Sequence, residues 1–360
     1  MAEKKGILLS TIQGFPTEAI GKLAAYWITT AEELHSAAIQ EGGIAGLVTV
    51  TGLTQQDVVH LVDLAQAALP AEFSFAAGNI QRHGMGALDD PNPDIPTDGG
   101  PASMAPLLPS VDLHNRFGPV RDQGQRGTCV AHASTAVREF LSGQQSSQSD
   151  FSEQFLYWDC KKHDMLPDAE GTFIRVAMDR LDVDGIPVES DWPYNPNPIP
   201  GNEAQDPAPA GILDKANPYR ISSSSGLSAT NVDSLRQALA NESPVAFTVP
   251  VYTYWFTEPA NSSGDIRMPL PGEKVEGGHA MCMVGYETDP NVPGGGYFLI
   301  RNSWGTGWAS QSVIAAGYAR IPFAFISQYA KSAYIGAGPI PPEPKTCWER
   351  ILDWFHNLFG

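Results

Sequence analysis

Apolar positions recur at helical spacing from residue 7 to about residue 80. Thr30, followed three residues later by Glu33, has the form of a capping box. Thr54 with Asp57 opens another helix, which carries Val58, Leu61, Val62 and Ala65 at i, i+3, i+4 and i+7. Residues 46–53, GLVTVTGL, read as a short connection between helices. The pattern predicts a small all-α bundle over residues 1–83. It lapses at GMGALDDPNPDIPTDGGPASMAPLLP, residues 84–109, where repeated Pro, Gly and Asp predict an extended, mobile linker that we bound at 84–107.

From 108 to 338 helical and strand patterns mix, which predicts an α+β domain. Val130, Ala133, Val137, Phe140 and Leu141 form one apolar stripe, so a helix is expected to start at or near Cys129. Residues 279–286 alternate like a strand; His279, Met281 and Met283 share one face and Cys282 takes the other. Beyond a second Pro-rich link, the tail KTCWERILDWFHNLFG places Trp348, Ile351, Leu352, Phe355, Leu358 and Phe359 at helical spacing. Residues 339–360 are therefore read as a Pro-rich linker and an amphipathic helix, either packed on the protein's own surface or free to target a protein assembly.

Composition narrows the partners. The formal net charge of the 360-residue chain is -18, and residues 6–81 hold one Lys or Arg, Lys22. Phosphate contacts would go unsupported, which excludes nucleic acid and disfavours anionic membrane. The four cysteines, Cys129, Cys160, Cys282 and Cys347, form no CxxC pair, so neither a metal site nor a cofactor is expected. The apolar stretch in MAEKKGILLS is too short for a secretory leader, so a cytoplasmic protein with reduced thiols is expected.

Three stretches carry candidate chemistry. In DQGQRGTCVAHAS, residues 122–134, glycines permit a tight turn just before Cys129. A thiolate at a helix start is favoured by the macrodipole and lies beside free backbone donors. In EGGHAMCMVGYE, His279 opens a strand where an imidazole can face a cleft and act as a base. In YFLIRNSWGTGWA, Asn302 can accept from that imidazole, and the Trp304 indole can shield the bond from water. His132, three residues after Cys129, either tunes the thiolate or packs.

Taken together, these stretches resemble the papain-like cysteine peptidases over roughly residues 106–335. LPSVDL, 108–113, is similar to a mature-domain start, and FSEQFLYWDC, 151–160, to the helix after the nucleophile. The resemblance implies a two-lobe fold, with a helical lobe and a β-barrel-like lobe flanking a peptide-binding cleft. It makes Cys129 the nucleophile, His279 the base, Asn302 its orienting partner and Gln123 an oxyanion donor. Gly171, Thr172 and Trp304 would line the substrate cleft, with Thr172 standing where a second glycine is usual. Arg126 stands where the family often has a disulfide cysteine, and the partner position near Ala169 lacks one too. Cys160 is read as a buried free thiol.

The implied activity is hydrolysis of a peptide or protein through a thioester, with self-processing at 84–107 as one use of it. The alternatives are narrow-specificity processing or transpeptidation, and a catalytically silent protein-binding module. The bundle is read as a docking or regulatory domain for a protein partner rather than an inhibitory propeptide, because it lacks the propeptide helix motif.

Overall fold

The structure is a computed structural model that describes residues 4–70, 83–90, 107–143 and 150–339. The tail helix expected around Trp348 lies outside the described residues.

Four helices build the N-terminal bundle among the described residues: α1 (Thr17–Ala24), α2 (Ala31–Ile39), α3 (Gly43–Thr51) and α4 (Gln55–Ala68). The capping box forms as its spacing predicts. The Thr30 hydroxyl accepts from the Glu33 amide at 3.3 Å, and Glu33 Oε2 accepts from the Thr30 amide at 3.2 Å. Thr54 caps α4, whose Val58, Leu61, Val62 and Ala65 are all buried. Helix α3 corrects the sequence reading, which made residues 46–53 a connection. Its β-branched run has weak helix propensity. Packing overrides that, because Gly46 lies against Leu270 and Leu47 enters the bundle core.

The C-terminal body has helices on one side and an antiparallel sheet on the other. Helices α5 (Cys129–Ser142), α6 (Glu153–His163) and α7 (Ile174–Val183) form the helical lobe. The short α8 (Ile212–Ala216), then α9 (Val232–Ala240), α10 (Ala260–Ser263) and α11 (Phe323–Tyr329) surround the sheet. Its described strands are β1 (Ser110–Asp112), β2 (Ile221–Gly226), β3 (Val245–Tyr252), β4 (Val275–Thr288), β5 (Gly296–Arg301), β6 (Tyr318–Pro322) and β7 (Ser332–Pro339). They run in the order β2-β7-β3-β4-β5-β6, with β1 also on β4. Helix α5 packs on β4 and β7, so Cys129 at its first turn meets the middle of the sheet.

The bundle is part of this body rather than a tethered appendage. Leu270, in the connection between β3 and β4, belongs to the bundle's apolar core, and Trp27, between α1 and α2, belongs to the core of the main body. Trp27 stacks on Tyr297 with ring centroids 6.2 Å apart, beneath the guanidinium of Arg320. Its φ of 59° puts a bulky residue in the left-handed region, which costs about 1–2 kcal/mol and aims the indole at the sheet. Lys4 lies over the same ring, pairs with Glu33 and reaches the Trp27 carbonyl, while Arg320 is held by Asp265 at 2.6 and 2.8 Å.

Candidate active site

The turn before α5 is set by Gly124, whose φ is 63° and whose amide donates to Asp122 Oδ1 at 2.8 Å. It delivers Cys129 as the first residue of the helix, fully buried, where first-turn amides lack intrahelical acceptors. Burial pushes the thiol up to about 11, against the opposing pull of the Ala280, Gly86 and Val130 amides.

His279 lies on β4 opposite Val249 of β3, also fully buried. Its Nε2 is 2.7 Å from Asn302 Oδ1, just past the end of β5. That oxygen also accepts from the Ser303 amide at 2.8 Å. An amide oxygen only accepts, so Nε2 carries the proton and Nδ1 is the bare, basic nitrogen. Nδ1 has no hydrogen-bond partner among the described residues. Burial lowers the imidazole to about 3, against the raising effect of Asn302. Trp304 stacks on His279 at 4.5 Å and covers the histidine–asparagine pair.

Gln123 completes the constellation. Its Oε1 accepts from Ser303 Oγ at 2.6 Å, and its backbone N–H donates to the Ser303 carbonyl at 2.9 Å. Ser303 thus ties Gln123 to Asn302 and so to His279, a positioning role that the sequence reading missed. The structure brings together Cys129, His279, Asn302, Gln123 and Trp304, with Gly171 and Thr172 on the facing wall. Lys161 Nζ donates to the Gly171 carbonyl at 2.8 Å, and the Gly171 amide donates to Tyr157 Oη at 2.9 Å. His132 packs edge-on against Tyr194 at 4.7 Å, with Nδ1 3.0 Å from the Thr128 carbonyl. Cys160 and Cys282 are free and buried.

The cleft is filled, which is the main departure from expectation. Residues 84–90 were read as the start of a mobile linker; with His83 they run between the two walls instead. Gln123 Nε2, the expected oxyanion donor, donates to the Gly84 carbonyl at 2.8 Å. The Gly86 amide donates to Cys129 Sγ at 3.3 Å. Thr172 accepts from Leu88 at 3.0 Å and donates to the Gly86 carbonyl at 2.8 Å, while the Ala87 amide donates to the Gly278 carbonyl at 3.2 Å. His83 also stacks on Trp304, with ring centroids 5.1 Å apart. The fit depends on missing side chains. A Cβ on Gly86 would lie 1.9 Å from the Gly127 carbonyl oxygen, and one on Gly278 would lie 2.1 Å from the Ala87 carbonyl oxygen. The alternation Gly84-Met85-Gly86 was the one sequence signal of this close approach.

The site is thus made of a helix-start thiol, an amide-oriented imidazole on a facing strand and a side-chain amide beside the thiol. The sequence profile of the papain family cysteine proteases matches residues 108–324. The chain belongs to that family. A peptidase C1-like protein of Acanthamoeba polyphaga mimivirus is 25% identical over 213 residues, which are 57% of this chain and 65% of the relative. Cysteine proteinase 3 of Entamoeba histolytica is 29% identical over 212 residues, 58% of this chain and 61% of the relative. The chain thus spans less than two thirds of the length of either relative. Among solved structures, xylellain, a cysteine protease from Xylella fastidiosa, is 29% identical with a TM-score of 0.61; the match covers 72% of this chain and 97% of that one.

Proposed function

We propose that this chain is a thiol-dependent peptide hydrolase held shut by its own residues 83–90. The observation that carries the reading is the 2.7 Å bond from His279 Nε2 to Asn302 Oδ1. It leaves Nδ1 as the base on a strand whose next amide, that of Ala280, bonds the Cys129 sulfur. In the open cleft, Nδ1 takes the thiol proton and Cys129 Sγ attacks the scissile carbonyl. The Gln123 amide stabilises the oxyanion from the position it now uses to bind the Gly84 carbonyl. The imidazolium then protonates the leaving amine, and water releases the acyl group from the thioester. A cavity of ≈ 490 Å³ beside residues 87–89, lined by Val249, Pro250, Tyr252, Val275 and Tyr329 with Lys331, offers room for a substrate side chain.

With residues 83–90 in place, buried thiol and buried imidazole are both neutral, so the closed form is a zymogen. Cleavage of the following segment, within 84–107, by another copy of the enzyme is the activation step we favour. A reducing compartment goes with the reading, since Cys160 and Cys282 are free and buried.

Intact-mass labelling with a cysteine-directed epoxide tests it. Slow modification confined to Cys129, speeding up as the chain is trimmed within 84–107 and absent in Cys129→Ala, is expected. Trimming that proceeds in Cys129→Ala at the wild-type rate overturns self-processing. A trimmed chain that takes no label and cleaves no peptide makes it a silent binding module.

A further inference from the structure

A cluster on the helical lobe takes no part in the chemistry above. Asp159 and His163 lie one turn apart on α6, so they share a face, and Asp184 caps the C-terminal end of the neighbouring α7. One donor atom from each of the three lies within 4.8 Å of the other two. Internal pairing leaves the cluster incomplete. Asp184 is paired with Arg180 at 2.9 Å, and His163 Nδ1 is 3.1 Å from Asp159 Oδ1 and 2.8 Å from the Asp159 carbonyl oxygen. Asp159 itself is 1% exposed; its Oδ2 receives no N–H or hydroxyl donor, and the side chain its carboxyl meets is another acid, Asp184. Burying a carboxylate oxygen without a donor is costly, and native structures leave few of them so without a reason.

We propose that Asp159, His163 and Asp184 bind one Zn²⁺ ion. The cation supplies the positive partner that Asp159 Oδ2 lacks. One imidazole nitrogen and two carboxylates are a borderline donor set, which suits Zn²⁺ better than Ca²⁺ or Mg²⁺, both of which prefer all-oxygen shells. The side chains of His163 and Asp184 are 44% and 27% exposed, so the ion has a way in and room for water as a fourth ligand. Arg180, already on Asp184, holds that carboxylate in place as an outer partner. Bound metal would pin the end of α6 to the end of α7 without touching the catalytic residues.

The test uses the untagged full-length chain carrying Cys129→Ser, because a catalytic thiolate would itself take zinc. Zinc chloride is titrated against a chromophoric chelator, and stoichiometry is read by native mass spectrometry. One Zn²⁺ per chain is expected. His163→Ala and Asp159→Asn should each weaken binding by at least about tenfold, while Asp214→Asn on α8 leaves it unchanged. His163 is at the surface, so its variant carries the test should Asp159→Asn fold poorly. No stoichiometric zinc, zinc binding indifferent to His163→Ala, or Ca²⁺ competing as well as Zn²⁺ would each overturn the proposal.

Discussion

The bundle and residues 83–90 lie on the same body, but different physics holds them there. The bundle is held by side chains: Trp27 in the main core, Leu270 in the bundle core, and the Lys4–Glu33 and Arg320–Asp265 pairs around the indole. Residues 83–90 are held mostly by main chain, through bonds to Gln123, Gly124, Cys129, Thr172 and Gly278. Side-chain anchors are specific to one sequence, whereas main-chain bonds can be made by any extended peptide. The difference frames the proposal: on it, the bundle is a lasting attachment and the cleft segment a competitor that substrate can replace.

Three experiments can break or sharpen that contrast. Trp27→Ala carries the largest effect. Removing a buried indole should cost about 3–5 kcal/mol, read as a lowered midpoint for the bundle in urea. If the labelling rate at Cys129 does not rise with it, the two attachments are independent. Gly86→Ala comes next. The new methyl collides with the Gly127 carbonyl, so the segment should lift and epoxide labelling should quicken by about tenfold or more, at one to two kcal/mol of lost contacts. The bundle's urea midpoint should not move; a shift would show that the segment and the bundle are one cooperative unit.

Acid has the smallest effect of the three. His279 is lowered to about 3 by burial, so the closed cleft has its full stability above the ordinary histidine range and loses it as pH falls below about 6.5. Labelling should therefore quicken several-fold between about pH 7 and about pH 5, and Gly86→Ala should flatten the profile. The helical lobe runs the other way. Burial pushes Glu189 up to about 7 and raises Glu139 and Glu153 as well, so their contribution is lost as pH rises through the folded values. Mild acid should open the cleft without melting the lobe, which circular dichroism over the same range would check.

The site was legible because its chemistry is written in short local runs. A helix-start thiol follows its glycine turn directly, and Asn302 lies two residues from its indole cover, so DQGQRGTC and RNSWGTGW each present their candidate residues within a few positions. Main-chain bonds write almost nothing. Residues 83–90 looked like a linker because only Gly84 and Gly86 record how closely they approach the walls. Helix α3 was hidden for a related reason: Val48, Thr49, Val50 and Thr51 suit strands, and the decision lay with distant Leu270. Asp159 and His163 show helical spacing, but Asp184 joins them only through the packing of α6 on α7.

Arg126 stands where the resemblance led us to look for half of a disulfide. It donates to Gln154 Oε1 at 2.7 Å, to the Asn195 carbonyl at 2.8 Å and to the Glu203 carbonyl at 3.2 Å, between the rings of Tyr157 and Tyr194. One planar fork thus fastens the loop before the nucleophile to α6 and to the segment around 195–203. Thiol enzymes have to be kept in reductant, and a scaffold stapled by disulfides is weakened by the reagent that keeps its nucleophile alive. Here the staple is a guanidinium, so the conditions that preserve Cys129 leave the frame around it untouched.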